Sequence, residues 1–165
     1  MALYSVSNLN ATTPAQTNNP GSTFTTNSEV TSIHASTASP RRAFVYEFDI
    51  GASGTPHATD CEIVWDISRT TAIGTPVVMT VSKLDPADAA AATIGGGNHT
   101  VVPTYTANSS VFVLAANQRA SYRWVVAPGG PGEIVVPATE LNGICARTKS
   151  SNYVGTRLCT VMFRE

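Results

Sequence analysis

Two segments of the chain alternate large apolar and polar residues with a period of two. Residues 41–50 read RRAFVYEFDI, with a large apolar side chain at every second position from 44 to 50. In residues 61–68, Ile63, Trp65 and Ile67 alternate with acidic or smaller side chains. This period predicts two half-buried β-strands. Gly51, Gly54 and Pro56 between them predict a turn.

Short apolar runs continue to the end of the chain, bounded by Gly, Pro, Asn or Ser. They occupy residues 77–81, 100–106, 110–115, 119–127, 133–136, 143–148 and 154–163. About nine strands with almost no helix predict an all-β chain that folds as an antiparallel β-sandwich or jelly roll. Besides Trp65, the expected core includes Phe44, Val77, Val135, Leu158 and Val161.

One segment favours a helix. Asp85 offers an N-cap, Pro86 suits the first helical position, and alanines follow at 89–92. We expect one or two helical turns in a loop, ended by the glycines at 95–97. These glycines lack the spacing of a phosphate-binding loop.

The first 29 residues differ from the remainder. They contain no charge before Glu29, and 15 of them are Ser, Thr or Asn. So few apolar side chains cannot form a core of their own. We therefore predict an extended N-terminal arm at 1–29 that orders on a neighbouring chain, followed by a β-sandwich domain at 30–165. A strand that adds to a sheet edge is one way in which the first residues could bind.

Charge is scarce along the whole chain. Charged residues make up 13% of the 165 residues, and the formal net charge is -1. Such a composition argues against nucleic acid as a partner, and no apolar run is long enough to suggest a membrane span. The N-terminus shows no secretory signal. A weakly charged surface favours association with other proteins.

No catalytic or metal-binding motif stands out, and we expect neither enzymatic activity nor a cofactor. Cys61, Cys145 and Cys159 lack metal-ligand spacing and are expected to be buried and free. Glu62 and Asp66 share a strand face that we interpret as solvated. His99 is interpreted as a loop residue.

Two groups of side chains leave further binding modes open. Arginines at 119, 123, 147 and 157 would form a basic face if their strands were neighbours, or would be isolated on the surface. Exposed tyrosine or tryptophan rings would suit a carbohydrate, although aromatic side chains in alternating strands usually belong to the core.

Five segments resemble a group of small structural proteins of tailed bacteriophages. They read MALYSVSNLNATTPAQT, WDISRTT, LDPADAAA, NQRASYRWVVAPGG and GTRLCTVMFRE. That group is similar in kind to capsid cement or decoration proteins, which are often small β-sandwich or jelly-roll domains. The resemblance implies a structural virion protein on the capsid exterior, made in the host cytoplasm, that binds the major capsid protein and itself as a dimer or trimer.

A cement protein also needs contacts that reach its neighbours. The residues that we expect to bind the partner are Leu3, Tyr4, Val6 and Leu9 on the arm, and Arg41 and Arg42 at its junction with the domain. Two alternatives remain open. One is a receptor- or carbohydrate-binding β-sandwich module of a phage tail or spike, and the other is a small hydrolase, for which the sequence offers no nucleophile–base pair.

Overall fold

A computed structural model of the chain describes residues 1–9, 17–18, 29–150, 152–153 and 155–165. Two antiparallel sheets pack face to face, which confirms the predicted all-β sandwich. The strands of the described residues are β1 (Leu3–Ser7), β2 (Thr17–Asn18), β3 (Glu29–Ala35), β4 (Ala43–Ser53), β5 (Glu62–Ala72), β6 (Thr75–Met79), β7 (Ser82–Lys83), β8 (Thr93–Val101), β9 (Thr104–Asn117), β10 (Tyr122–Val125), β11 (Ile134–Val136), β12 (Gly143–Lys149) and β13 (Gly155–Arg164).

The strand order defines two open sides of the sandwich. Sheet A runs β10-β4-β13-β1-β7, with β11 also pairing β4 and β2 also pairing β13. Sheet B runs β6-β8-β3-β12-β5-β9. Strands β9 and β10 are edge strands that follow each other in the chain, and only Thr80 and Val81 link the edge strands β6 and β7. One side of the sandwich is therefore bounded by β9 and β10, and the other by β6 and β7.

The core lies between the two sheets and includes the predicted Trp65, which is 2% exposed. In β4, however, a β-bulge interrupts the alternation. Val45 pairs with Phe163 and Glu47 with Met162, so Tyr46 is an extra residue. Val45 therefore faces the core, whereas Phe44 lies only partly buried beneath the guanidinium of Arg164. The prediction that Phe44 belongs to the core is wrong.

Other predicted core residues face outward for simpler reasons. In β13, Arg157 and Cys159 are buried, so Leu158 between them is on the opposite face. Val136 is the fully buried residue of β11 in place of Val135. Val77 is 40% exposed because β6 lies at the edge of sheet B.

The predicted helix is absent from this described stretch of the chain. Asp85 accepts hydrogen bonds from the backbone amides of Ala87 and Asp88, which closes one turn. The three glycines that were expected to end a helix lie within β8. Their function is close packing: a Cβ atom at Gly95 or Gly97 would collide with atoms of neighbouring strands.

The N-terminus does not form a free arm over its described first residues. Strand β1 pairs with β13 from Leu3 to Ser7 and with β7 at Tyr4 and Ser5. At the other end of the predicted arm, Glu29 is the first residue of β3. Both the first residues of the predicted arm and its last residue, Glu29, thus belong to the sandwich. The predicted boundary between residues 29 and 30 therefore does not separate an arm from the domain. Residues 10–16 and 19–28 of the predicted arm lie outside the described residues.

A two-stranded crossing lies over the outer face of sheet B. Strands β5 and β6 run on through Ile73 and Gly74, while β8 and β9 run on through Val102 and Pro103. Each connection joins opposite halves of sheet B, because β3 and β12 lie between the β6–β8 half and the β5–β9 half. Side chains from residues 99 and 105 of the crossing contact the outer faces of β3 and β12. These contacts account for the burial of β3 on both faces.

Candidate partner-binding surfaces

The structure separates the six predicted partner-binding residues into two groups. Tyr4 and Val6 are 2% and 1% exposed and belong to the chain's own core, where Tyr4 stacks on Phe163 with ring centroids 5.4 Å apart. Leu3 is partly buried and pairs with Arg164. Folded in this way, Tyr4 and Val6 cannot contact another molecule, which corrects their assignment.

The other predicted contacts remain on the surface. Leu9 is 46% exposed just after β1. Arg41 and Arg42 are exposed at the end of the loop at 36–42, which joins β3 to β4. Of the six residues, Leu9, Arg41 and Arg42 are thus accessible to a partner.

The side bounded by β9 and β10 carries an aromatic cluster that extends from the core to the surface. Phe48 is buried, and its ring lies 5.5 Å from that of Trp124 and 6.5 Å from that of Phe112. The Phe112 ring lies 6.0 Å from Tyr122, which is 41% exposed. We call the partly buried Phe112 and Trp124 and the exposed Tyr122, together with exposed Val113 and Val125, the β9–β10 side.

The opposite side is also apolar. Val77 and Val78 of β6 are 40% and 72% exposed, and Leu84, directly after β7, is 49% exposed. We call these three residues the β6–β7 side. Contiguous exposed apolar patches mark protein contacts, and we treat the group of exposed apolar side chains on each of the two lateral sides as a candidate contact surface.

The arginines of the last third do not form one basic face. Arg119 pairs with Asp60, Arg123 with Glu47 at 2.5 Å, and Arg147 with Asp66 at 2.7 Å. Arg157 is 1% exposed, and burial lowers its pKa to about 10. Its guanidinium donates to the hydroxyl of Thr148. Their positive charges are therefore matched or buried, and an acidic partner would find no concentrated basic patch among these four residues.

A buried polar cluster lies beneath the crossing, and the sequence did not predict it. The Oγ of Ser32 lies 2.9 Å from Nε2 of His99, and Nε2 of His34 lies 3.0 Å from the hydroxyl of Thr70. His99 is fully buried in β8, so its interpretation as a loop residue is wrong. Gly143 makes room for the ring of His34, since a Cβ there would lie 2.5 Å from its Cδ2.

The acidic and aromatic half of this cluster is equally enclosed. The hydroxyl of Tyr105 donates to Glu29, and the guanidinium of Arg147 lies 3.9 Å above the Tyr105 ring. Arg147 also donates to Asp66, which is 3% exposed. The interpretation of Asp66 as part of a solvated face is therefore wrong. Burial raises the pKa of Glu29, an effect that nearby arginines oppose.

Ser32 and His99 form the hydrogen bond that a nucleophile and its general base require, but substrate cannot reach them. Their side chains are buried at 1% and 0% exposure. Burial also lowers the pKa of His99 to about 4 and that of His34 to about 3. Bases with such values are too weak to activate a hydroxyl near neutral pH. The cluster therefore holds the crossing against sheet B and does not act as an accessible catalytic site.

The cysteines are all buried and free, as predicted. Burial raises the pKa of Cys145, and it raises that of Cys159 to about 12. Thiols protected in this way are poor nucleophiles. Within the described residues, no group of three or more His, Cys, Asp or Glu side chains is placed to hold a metal ion.

Two shallow clefts of the described surface lie near the β9–β10 side. One has a volume of about 490 Å³ and is lined by Asp60, Glu62 and Asn117, among others. A second, of about 250 Å³, lies beside Arg119 and Tyr153. None of the aromatic rings of the β9–β10 cluster lines either cleft, and Tyr153 beside the second is only 2% exposed, so neither cleft provides the stacking platform that sugar binding requires.

Comparison of the chain with protein-family models, with curated proteins and with solved structures finds no match. Among the described residues, no helix is long and apolar enough to cross a membrane.

Proposed function

We propose that this chain is a structural protein of a tailed-phage particle, a cement or decoration protein that binds the head lattice from outside and stabilises it. The observation that carries the proposal is the presence of exposed apolar side chains on two opposite sides of the sandwich. Val78 and Leu84 lie on one side, and Val113 and Tyr122 lie on the other. A protein that links neighbouring subunits needs at least two such surfaces.

The interior of the sandwich supports the same function. Sheet B is fastened by hydrogen bonds beneath its crossing, and sheet A includes the N-terminal strand. The polar groups with catalytic potential are sealed. Such a body suits contact and mechanical support better than catalysis, so we propose that it is not an enzyme and uses no cofactor.

Stabilisation would follow from mass action. A protein that binds only the assembled lattice stabilises it by RT ln(1 + [L]/Kd) for each site, about 2.7 kcal/mol when the free concentration is 100 times Kd. Linked contacts by many copies would add avidity. The major capsid protein is the proposed partner. We assign its contact to the β6–β7 side and propose exposed Leu9, Arg41 and Arg42 as further contact residues.

A binding experiment with assembled shells tests this proposal. Shells of the phage that encodes the chain, prepared without it, are mixed with the purified full chain, and the bound fraction is measured by co-sedimentation. We expect saturable binding and a higher melting temperature of the shell. Val78→Lys and Leu84→Lys should reduce binding at least tenfold. The matched control is Thr139→Lys, at an exposed position in the loop after β11.

A receptor- or carbohydrate-binding module is the second candidate. One observation favours it: Tyr122 is 41% exposed beside Trp124, with charged Arg123 and Asp49 close by. Aromatic rings flanked by polar groups can stack on a sugar face. Glycan-array binding that Tyr122→Ala abolishes, combined with no binding to shells, would favour this function over the lattice protein.

A further inference from the structure

The four sheet edges of the described sandwich are protected against pairing in very different ways. Edge strand β6 contains Pro76, which cannot donate a backbone hydrogen bond. Edge strand β7 has two residues, one of them Lys83. Edge strand β10 has four residues and contains Arg123. Prolines, charges and short length are the devices by which proteins prevent edges from pairing with other chains.

Edge strand β9 lacks these devices. It has 14 residues, none of which is charged or proline. From Phe112 to Asn117 it pairs with β5 in continuous register, without a bulge. Among the described residues its other edge has no neighbouring strand. Val113 on this strand is 60% exposed. Register shifts interrupt the pairing of residues 104–110 with β5, so the regular edge is the segment at 112–117. A regular edge segment without charge or proline would be an aggregation hazard in a permanent monomer.

We propose that β9 pairs antiparallel with β9 of a second copy of this chain, around a twofold axis at Leu114. This register places Val113 of one copy opposite Ala115 of the other, and Phe112 opposite Ala116. Large side chains thus meet small ones, Leu114 meets its own counterpart, and no like charges are opposed. The strand is therefore complementary to itself, which is what a twofold interface requires.

The same axis brings the aromatic clusters of the two copies together. In this register the opposed residues share a sheet face, so both sandwiches lie on the same side of the joined sheet. The two β10 strands then face each other across the joint. Tyr122 and Trp124, which are exposed or partly buried in one copy, would be covered. Aromatic side chains of this kind contribute strongly to interfaces.

This inference deepens the proposed function, because it names the chain itself as the partner of the β9–β10 side and leaves the β6–β7 side for the lattice. Its test uses the full chain in solution without shells, so that the two proposals fail separately. Loss of shell binding with an intact dimer would reject the lattice function alone. Shell binding by a monomer would reject the pairing alone.

The test combines sedimentation equilibrium with disulfide trapping. Directly opposed residues of an antiparallel pair have Cα atoms about 4.5–5.5 Å apart, within the range that a disulfide spans. The native cysteines are buried and should not interfere. We expect a dimer, and under mild oxidation the double variant Val113→Cys/Ala115→Cys should become covalently dimeric. Each single variant should not, because neither residue opposes itself.

The control is Val78→Cys, which measures cross-linking by random collision. Val78 is 72% exposed on β6, the edge strand that contains Pro76. Thermal melting checks that each variant folds. Tyr122→Lys should weaken the dimer at least tenfold. A monomer at every concentration, a dimer whose double variant cross-links no more than Val78→Cys, or cross-linking by Val113→Cys alone would each overturn the proposed pairing.

Discussion

Val6 packs directly against the backbone of Gly95. A Cβ atom at Gly95 would lie 2.6 Å from Cγ2 of Val6 and 2.9 Å from the backbone oxygen of Met79. Strand β1 of sheet A thus approaches β8 of sheet B more closely than a side chain at position 95 would allow. The glycine of β8 and the N-terminal strand form one packing unit.

Gly95→Ala should therefore destabilise the fold. Overpacking of this kind typically costs about 1–3 kcal/mol, and the backbone oxygen cannot move aside as easily as a side chain. Gly51→Ala is the matched control, since a Cβ there would meet only Ser121 at an ordinary 3.7 Å. Urea unfolding of both variants measures the difference. Equal stability of the two would contradict the close contact between β1 and β8.

Deletion of residues 2–9 should destabilise the domain itself. The side chain of Asn8 extends the pairing of β1 with β13, because it donates to the carbonyl of Arg157 at 2.8 Å and accepts from the amide of Cys159 at 3.0 Å. We expect the truncated chain to melt well below the full chain. Asn8→Ala alone should cost about 1–3 kcal/mol, because buried partners lose their hydrogen bonds. An unchanged melting temperature of the truncated chain would contradict this stabilising role of β1 and would support a free N-terminal arm.

Trp65→Ala should cost about 3–5 kcal/mol, the usual range for removing a buried tryptophan side chain. Trp65 is 2% exposed at the centre of β5, whereas Trp124 is only partly buried at the edge of sheet A. Trp124→Ala should therefore cost less in the monomer. Chemical denaturation at a concentration below any dimerisation compares the two, and a larger loss for Trp124 would contradict the burial order.

The two buried histidines should make the fold sensitive to acid. Their pKa values in the folded state, about 3 for His34 and about 4 for His99, lie below the ordinary histidine value of 6.5 because both rings are buried. At a pH between the folded and the ordinary pKa of a histidine, the unfolded chain binds more protons than the folded chain. The free energy of unfolding therefore falls as the pH decreases from about 6.5 towards 4. One pKa unit corresponds to about 1.4 kcal/mol, so the loss should reach several kcal/mol.

His34→Gln and His99→Gln isolate this contribution. Glutamine retains a polar group near Thr70 or Ser32 but does not titrate. Glu29 acts in the opposite direction, because its raised pKa favours the folded state at low pH and this stabilisation is lost as the pH rises. Comparing each variant with the parent chain at pH 7 and pH 5 cancels the contribution of Glu29. An unchanged pH dependence in both variants would contradict the burial of the neutral imidazoles.

The sequence predicted the strands well where large apolar side chains follow a regular period. Trp65 and its neighbours alternate without interruption, and β5 lies where the pattern placed it. Tyr46 shows the limit of this reasoning, because a bulge inserts one residue without any change in composition. The glycines at 95–97 show another limit, since local preference marks them as breakers, whereas the contact with β1 requires them.

The candidate surfaces were harder to predict because they depend on distant parts of the chain. Ser32 and His99 are 67 positions apart, and only the crossing over sheet B brings them together. The polar neighbours of Tyr4 and Val6 predict that these two side chains need a partner, yet β13 of the same chain provides an apolar surface for them. One signal for β9 was present in the sequence: the absence of any charge from residue 104 to residue 117.

The copy number of the chain in purified phage particles, measured by quantitative mass spectrometry against the major capsid protein, tests the proposed lattice function directly. A lattice-binding structural protein should be present in a fixed ratio to the major capsid protein and in high copy, and it should remain with tailless heads. Absence from the particles, or a few copies that separate with the tails, would contradict the proposed function.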